Sequence, residues 1–340
     1  MTQIAFTSKK QLFRRAKHFF NTLKRKNIAV FDHCVENIPN ADIWIIDHVH
    51  EPDYYNANLS WFQQFLPHIL NFKGKVILLN LNDNFTYALK IYPKDFLDRV
   101  DGIIALNKPL NNNKHLEFLS KKTILLPRFT IDHLPLETSL VRKNKIFFIG
   151  KLTGADFFDG KNWRIESFKK INNNPFILQN FNGWISTPKN FEINKKILDA
   201  YSIENIPIAK DNVIPEAEYF SNLLDHQISL CLPGNTSWGY RHLLSLAAKA
   251  TIISFDLSSD SGEWLFQHEF KDTMYVLDPY LNNFESIISQ SIIEEEKSRH
   301  YAQCSYEVYR NFFELLPDNT YQEHVWHRII NSLQSVNISL

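Results

Sequence analysis

The sequence predicts an α/β protein of two doubly wound Rossmann-like domains in tandem, closed by C-terminal helices. Three observations carry that expectation. Near-continuous apolar runs of strand length alternate with helix-length amphipathic segments, the pattern of parallel strands buried on both faces. The alternation occurs twice, with a polar stretch between, DHLPLETSLVRKNK at 132–145. The length of 340 residues exceeds one ordinary domain at about 150 residues each.

In the first half the strands are NIAVFDH (27–33), DIWIIDH (42–48), KVILLNLND (75–83), DGIIALN (101–107) and KTILLP (122–127). LSWFQQFLPHILNF (59–72) and KHLEFLSKK (114–122) are helical segments between them. Such βαβ units collect ligands at the carboxyl ends of their strands. The domain boundary is expected at 140/141, giving domains 1–140 and 141–340. The second half opens with KIFFIGKLTG (145–154), a helix from WRIESFKKI (163–171) and the apolar run PFILQNF (175–181). ISLCLPG (228–234), ATIISFD (250–256) and TMYVLDP (273–279) follow, and the tail from FESII to VWHRIINSL reads as helix throughout.

Composition narrows the function classes. Hydrophobic residues at 44% and charged residues at 22% are ordinary for a globular chain. Thirty-seven basic and 37 acidic residues cancel, so no global charge points to nucleic acid. Three cysteines without a CxxC pair fit a reducing compartment and argue against a thiolate zinc site. No signal peptide and no apolar stretch of membrane-spanning length is evident, and a cytoplasmic protein is expected.

The segment CLPGNTSWGYR (231–241) holds two of only nine glycines, between an apolar strand and the helix YRHLLSLAAKA. Unpaired N–H groups and the macrodipole make a helix start favourable for phosphate. Gly234 lets a ligand approach the backbone, Thr236 or Ser237 can cap the helix, and Arg241 offers a guanidinium fork in the first turn. The glycine spacing matches neither GxGxxG nor a Walker loop, and an ordinary capped turn remains open at this point.

CLPGNTSWGYRHLLSLAAKATIIS resembles the G-x-x-x-S-x-R-x-x-x-L-L core of the CAP10-like O-glucosyl/O-xylosyltransferases, which are exostosin-related GT-B glycosyltransferases. SGEWLFQHEFKDTMYVLDP and IFFIGKLTGADFFDGKNWRIESF are similar to the flanking blocks of that family, in the same order over 145–290. An isoleucine stands where the family has arginine after the first aromatic residue, leaving Lys151 as the nearest cation. The resemblance implies an N-terminal acceptor-side domain and a C-terminal domain binding a nucleotide-sugar, with a UDP-sugar favoured. It places the donor diphosphate against Ser237, Arg241 and the Gly234–Trp238 loop, with Lys151, Thr153 and Gly154 as a second phosphate contact. Glu263 is then a candidate for the ribose hydroxyls, and no divalent metal is expected.

An inverting transfer needs a base within hydrogen-bond reach of the acceptor hydroxyl; a retaining one can proceed without. Asp83, at the end of LNLND, and His50, in IIDHVHEPD, are the candidates. His48 and His50 alternate onto one face of an extended chain, so a metal-dependent hydrolase is the rival reading. A glycan- or nucleotide-binding protein without turnover is another. Residues 9–26 carry eight Lys/Arg with interleaved apolar residues, a pattern for the first helix of a domain or for peripheral attachment to an anionic membrane. The expected function is sugar transfer to a glycan or glycolipid in bacterial surface polysaccharide or lipopolysaccharide synthesis, at the inner face of the cytoplasmic membrane.

Overall fold

The computed structural model describes residues 2–7, 14–33, 37–47, 60–80, 92–105, 117–125, 142–152, 156–158, 161–186, 191–209, 215–233, 239–255, 270, 272–318, 320–335 and 337–338. The chain divides into two compact units, Met1–Thr130 with Phe312–Leu340, and Ile131–Asn311.

Unit 1 runs β1 (Gln3–Thr7), α1 (Arg14–Arg25), β2 (Ala29–Asp32), β3 (Ile43–Asp47), α2 (Ser60–Asn71), β4 (Lys75–Asn80), α3 (Lys94–Arg99), β5 (Gly102–Ala105), α4 (Glu117–Lys121) and β6 (Thr123–Leu125). All six strands are parallel, in the order β2-β1-β3-β4-β5-β6. The pattern of apolar runs marks no strand at QIAFT, five residues beside a basic stretch. It is an interior strand nevertheless, with Ile4, Ala5 and Phe6 fully buried, because neighbours pair with it on both edges.

The basic first helix, α1, turns Ala16, Phe19, Phe20 and Leu23 into the core of unit 1 and leaves Lys17, Lys24 and Arg25 exposed. Its apolar stripe is therefore occupied within the fold. No helix among the described residues is long and apolar enough to cross a membrane.

Unit 2 continues with β7 (Lys143–Gly150), the antiparallel pair β8 (Asp156–Phe158) and β9 (Lys161–Asn162), α5 (Trp163–Asn173), α6 (Pro175–Gln179) and β10 (Phe181–Ser186). Then come α7 (Phe191–Ala200), β11 (Ile208–Ala209), α8 (Glu216–Asp225), β12 (His226–Cys231), α9 (Tyr240–Ala247), β13 (Thr251–Phe255) and β14 (Tyr275–Leu277). The apolar run at 175–181 is divided between helix and strand. Asn174 accepts from Ile177 N at 3.1 Å and Pro175 opens α6, a helix start that outweighs the strand-like composition.

The tail forms α10 (Phe284–Ile293), α11 (Glu295–Phe312) and α12 (Glu323–Ser335), as the helical reading expects. Val325, Trp326, Ile329 and Leu333 of α12, with Tyr321, join the same buried cluster as Ile4, Phe6, Phe19, Ile45 and Leu79. Residues 312–340 thus complete unit 1, whereas their place in the sequence groups them with the second domain.

The second sheet is also wholly parallel, in the order β11-β10-β7-β12-β13-β14. Counted along the unit without the β8–β9 pair, this is 3-2-1-4-5-6. Connections leave β7 in one direction and β12 in the other, so the order reverses between these two strands. Ligands of such sheets bind at this reversal, outside the carboxyl ends.

Candidate functional site

The carboxyl ends of β7 and β12 lead into Ile149-Gly150-Lys151 and Leu232-Pro233. Two arginines from different helices span them. Arg241, in the first turn of α9, donates from Nη2 to Ile149 O at 2.6 Å and from Nη1 to Leu232 O at 3.2 Å. Its Nε donates to the Tyr219 hydroxyl at 3.2 Å, and its guanidinium lies 4.4 Å from the Phe148 ring centroid, within cation–π range. Arg164, in the first turn of α5, donates from Nε to Pro233 O at 2.8 Å and from Nη1 to Lys151 O. Each arginine therefore holds one carbonyl on either side of the reversal.

The local sequence places both. Asn162 caps α5, accepting from Arg164 N at 3.0 Å and Ile165 N at 3.1 Å, while its Nδ2 donates to Leu152 O at 2.9 Å. Trp163 stacks on Phe255, with ring centroids 4.3 Å apart. The start of α5 is thereby tied both to the segment after β7 and to the sheet. Gly150 leaves the space in which Arg241 lies: a Cβ there would overlap Nη2 and stand 2.9 Å from Phe148 Cζ.

At α9 the N-cap is Gly239, not Ser237 or Thr236 as expected. Gly239 N donates to His242 Nδ1 at 3.1 Å, and His242 Nε2 stands 2.8 Å from Ser254 Oγ. With Nδ1 accepting, Nε2 carries the proton and donates to Ser254, so His242 is neutral in this arrangement. Cys231 and Ser229, on β12, are fully buried under the same helix. Ser245 Oγ is 2.7 Å from both Arg241 O and Ser229 Oγ. The single hydroxyl hydrogen of Ser245 has both oxygens as acceptors.

Charge is uncompensated here among the described residues. Among the described residues neither Arg164 nor Arg241 forms an ion pair. Arg164 is only 7% exposed, and burial together with the Arg241 charge pushes its guanidinium down to about 9, so it is charged at neutral pH. The Tyr219 phenol, which accepts from Arg241, is pushed up to about 12 by burial despite both arginines, and stays neutral. Two cations with unused N–H groups and no carboxylate among the described residues suit an anion.

Of the residues the sequence points to, Arg241 stands in this arrangement and Lys151 extends it, with its side chain exposed and its carbonyl held by Arg164. Asp83, His50, Thr153, Gly154, Gly234, Thr236, Ser237, Trp238 and Glu263 lie outside the described residues, as does His48. Arg164 was not among the site candidates. Its signal was weak, because WRIESF reads as an ordinary amphipathic helix start and only the fold brings it to Pro233. No three His, Cys, Asp or Glu side chains gather as a metal site among the described residues.

No protein-family model matches the chain, and no curated protein does. Solved structures do. WaaG, a glycosyltransferase involved in lipopolysaccharide biosynthesis, is 9% identical, with 89% of this chain and 94% of that one covered and a TM-score of 0.50. The sucrose-phosphate synthase of Thermosynechococcus elongatus is 10% identical over 98% and 97% of the chains, at 0.51. Anabaena HepE, solved in complex with UDP, is 9% identical over 98% and 100%, at 0.52. These neighbours correct the likeness to CAP10-like and exostosin-related transferases: they are GT-B glycosyltransferases of other kinds. The short blocks behind that likeness are strand–turn–helix junctions, which many Rossmann-like domains contain. The fold itself is as expected, with two Rossmann-like units, each built on a parallel six-stranded sheet, and it is the fold of the GT-B glycosyltransferases.

Proposed function

We propose that the chain is a glycosyltransferase, moving a sugar from a nucleotide-diphosphate donor to a hydroxyl of a glycan or glycolipid acceptor. The observation that carries this is Arg241, held across the reversal point of the second sheet with N–H groups to spare and no carboxylate partner among the described residues. Ligands of such sheets bind at this reversal, and in this reading the donor diphosphate lies there. The leaving diphosphate gains negative charge as the glycosidic bond breaks. A preorganised guanidinium in a partly buried site stabilises that charge without reorganising, and binding the donor in register supplies the orientation.

The UDP found with HepE supports a UDP-sugar donor, and the role of WaaG supports an acceptor in lipopolysaccharide or surface-polysaccharide assembly. In this reading Lys151, Thr153 and Gly154 line the donor from the end of β7, and Gly234, Thr236, Ser237 and Trp238 from the end of β12. Glu263 holds the ribose, and Asp83 or His50 takes the acceptor proton. The reaction proceeds without a divalent metal, in the cytoplasm. Any hold on an anionic membrane surface comes from the exposed charges of α1, since its apolar face is buried.

The test is a thermal-shift panel of UDP, GDP, ADP, CMP and their sugars, on wild type and Arg241→Ala. A nucleoside diphosphate raises the wild-type melting temperature and has little effect on the variant. If no nucleotide shifts the wild type, the proposal fails.

A further inference from the structure

The helix α9 is fastened to the β7 segment at both ends. At its start, Arg241 reaches Ile149 O, at the carboxyl end of β7. At its other end, Arg142, the residue before β7, donates from Nη1 to Lys249 O and from Nη2 to Ala248 O. Helix and strand therefore run in opposite directions, with one arginine closing each end. From Arg142 to Ile149 is about seven steps of strand, or about 23 Å. From Arg241 to Ala248 is about seven steps of helix, or about 10 Å. The two side chains make up the difference, so α9 cannot slide along its axis without stretching an arginine contact.

Local chemistry accounts for the second fastening. α9 has eight residues and no acidic group in its first turn, and a helix this short has little stability of its own. Arg241 is a cation at the positive end of its macrodipole, which works against it. At the far end Lys249 takes a φ of 52°, while Lys249 N and Ala250 N bond back to Leu246 O and Ser245 O at 3.0 and 2.9 Å. This is a Schellman turn with lysine where glycine is usual, and it leaves the Ala248 and Lys249 carbonyls to Arg142. The Arg142 guanidinium supplies both the hydrogen bonds and the positive charge that a helix C-terminus favours.

We propose that Arg142 is a positioning residue for Arg241: by gripping the end of α9 it fixes the helix along its axis and holds the Arg241 guanidinium at the strand ends. The inference rests on the donor reading above only in that Arg241 meets the donor. Arg142 stands at the amino end of β7 and acts through α9, not on the ligand.

The experiment titrates pyrophosphate and UDP calorimetrically into wild type, Arg142→Gln, Arg142→Lys, Lys249→Gly and the double variant Arg142→Gln with Lys249→Gly, and melts each without ligand. Arg142→Gln is expected to melt earlier and to bind both ligands about tenfold more weakly. Lys249→Gly relieves the left-handed turn, so the double variant recovers melting temperature but not affinity. Arg142→Lys keeps a cation for the same carbonyls and binds within about threefold of wild type. Affinity that returns together with stability in the double variant, or Arg142→Gln binding as wild type does, overturns the inference. Should Arg142→Gln alone fail to fold, the double variant decides.

A ligand-free cycle of Arg142→Gln with Arg241→Ala separates this inference from the donor reading. The two ends of α9 lie about 10 Å apart, a separation at which unlinked losses add. Removing either arginine already frees the helix, so the melting-temperature loss of the pair is expected to fall short of the sum. A shortfall in a protein that binds neither UDP nor pyrophosphate upholds the positioning while the donor reading falls. Additive losses beside UDP binding that requires Arg241 do the reverse.

Discussion

Arg241 occupies the space where a side chain at Gly150 would begin. Its Nη2 donates to Ile149 O at 2.6 Å, and a Cβ on Gly150 would overlap that nitrogen. The glycine in FFIGK is therefore explained by close approach of a neighbouring side chain. Gly150→Ala pushes aside the far end of a flexible arginine and crowds the Phe148 ring. Stability should fall by only about 1–2 kcal/mol, while nucleoside-diphosphate affinity falls about tenfold or more. Because both changes act on one guanidinium, Gly150→Ala with Arg241→Ala should bind no worse than Arg241→Ala alone. Additive losses by titration calorimetry would show that Gly150 acts elsewhere.

His226 provides a pH dependence of known sign. Its Nδ1 is 2.6 Å from Asn222 O and its Nε2 is 2.6 Å from Asn182 Nδ2, with the ring stacked on Phe147. Nδ1 donates and Nε2 accepts, so the ring is neutral. Burial, with Lys143 and Lys145 nearby, lowers it from the usual histidine value, against Asn222 O and Asp225. Between that lowered value and about 6.5 the unfolded chain binds more protons, so stability rises with pH there. The contribution is complete above about 6.5 and is lost as pH falls through the folded-state value. Urea unfolding at pH 5.5 and 7.5 should give a smaller difference for His226→Gln than for wild type. Equal differences in the two proteins would remove His226 as the cause.

Asn162 joins two functions in one side chain, capping α5 and holding Leu152 O. Asn162→Ala loses the cap, at about 1–2 kcal/mol, and frees the segment after β7. The melting temperature should drop, and donor affinity should drop with it. Asn162→Asp keeps the acceptor for Arg164 N and Ile165 N and should recover most of the stability. An alanine variant as stable as wild type would contradict the capping geometry.

Trp326 is 6% exposed, in the core of unit 1 beside Val325 and Ile329. Trp326→Ala should cost about 3–5 kcal/mol, and proteolysis should then cut first within 1–130. A variant whose first cuts fall in 131–311 would place α12 with the other unit.

Much of the fold was legible in advance. Buried parallel strands need apolar residues on both faces, so IWIID, KVILLN, ISLC and TIISF announce themselves by composition. QIAFT did not, because its apolar run is only the three residues IAF and the lysines and arginines that follow suggest a surface. Of the site, Arg241 was readable from its place after a strand and a turn. Arg164 was not, since nothing in WRIESF distinguishes an inward arginine from a solvated one.

By itself the sequence determined the α/β class, two cores' worth of apolar runs and the helical tail, because periodicity and local capping are properties of short segments. Only the tertiary structure decided that the tail packs with unit 1 and that two arginines 77 positions apart meet at the same strand ends. Those outcomes rest on which surfaces meet. An amphipathic stripe must be buried, but the stripe does not name the sheet that buries it.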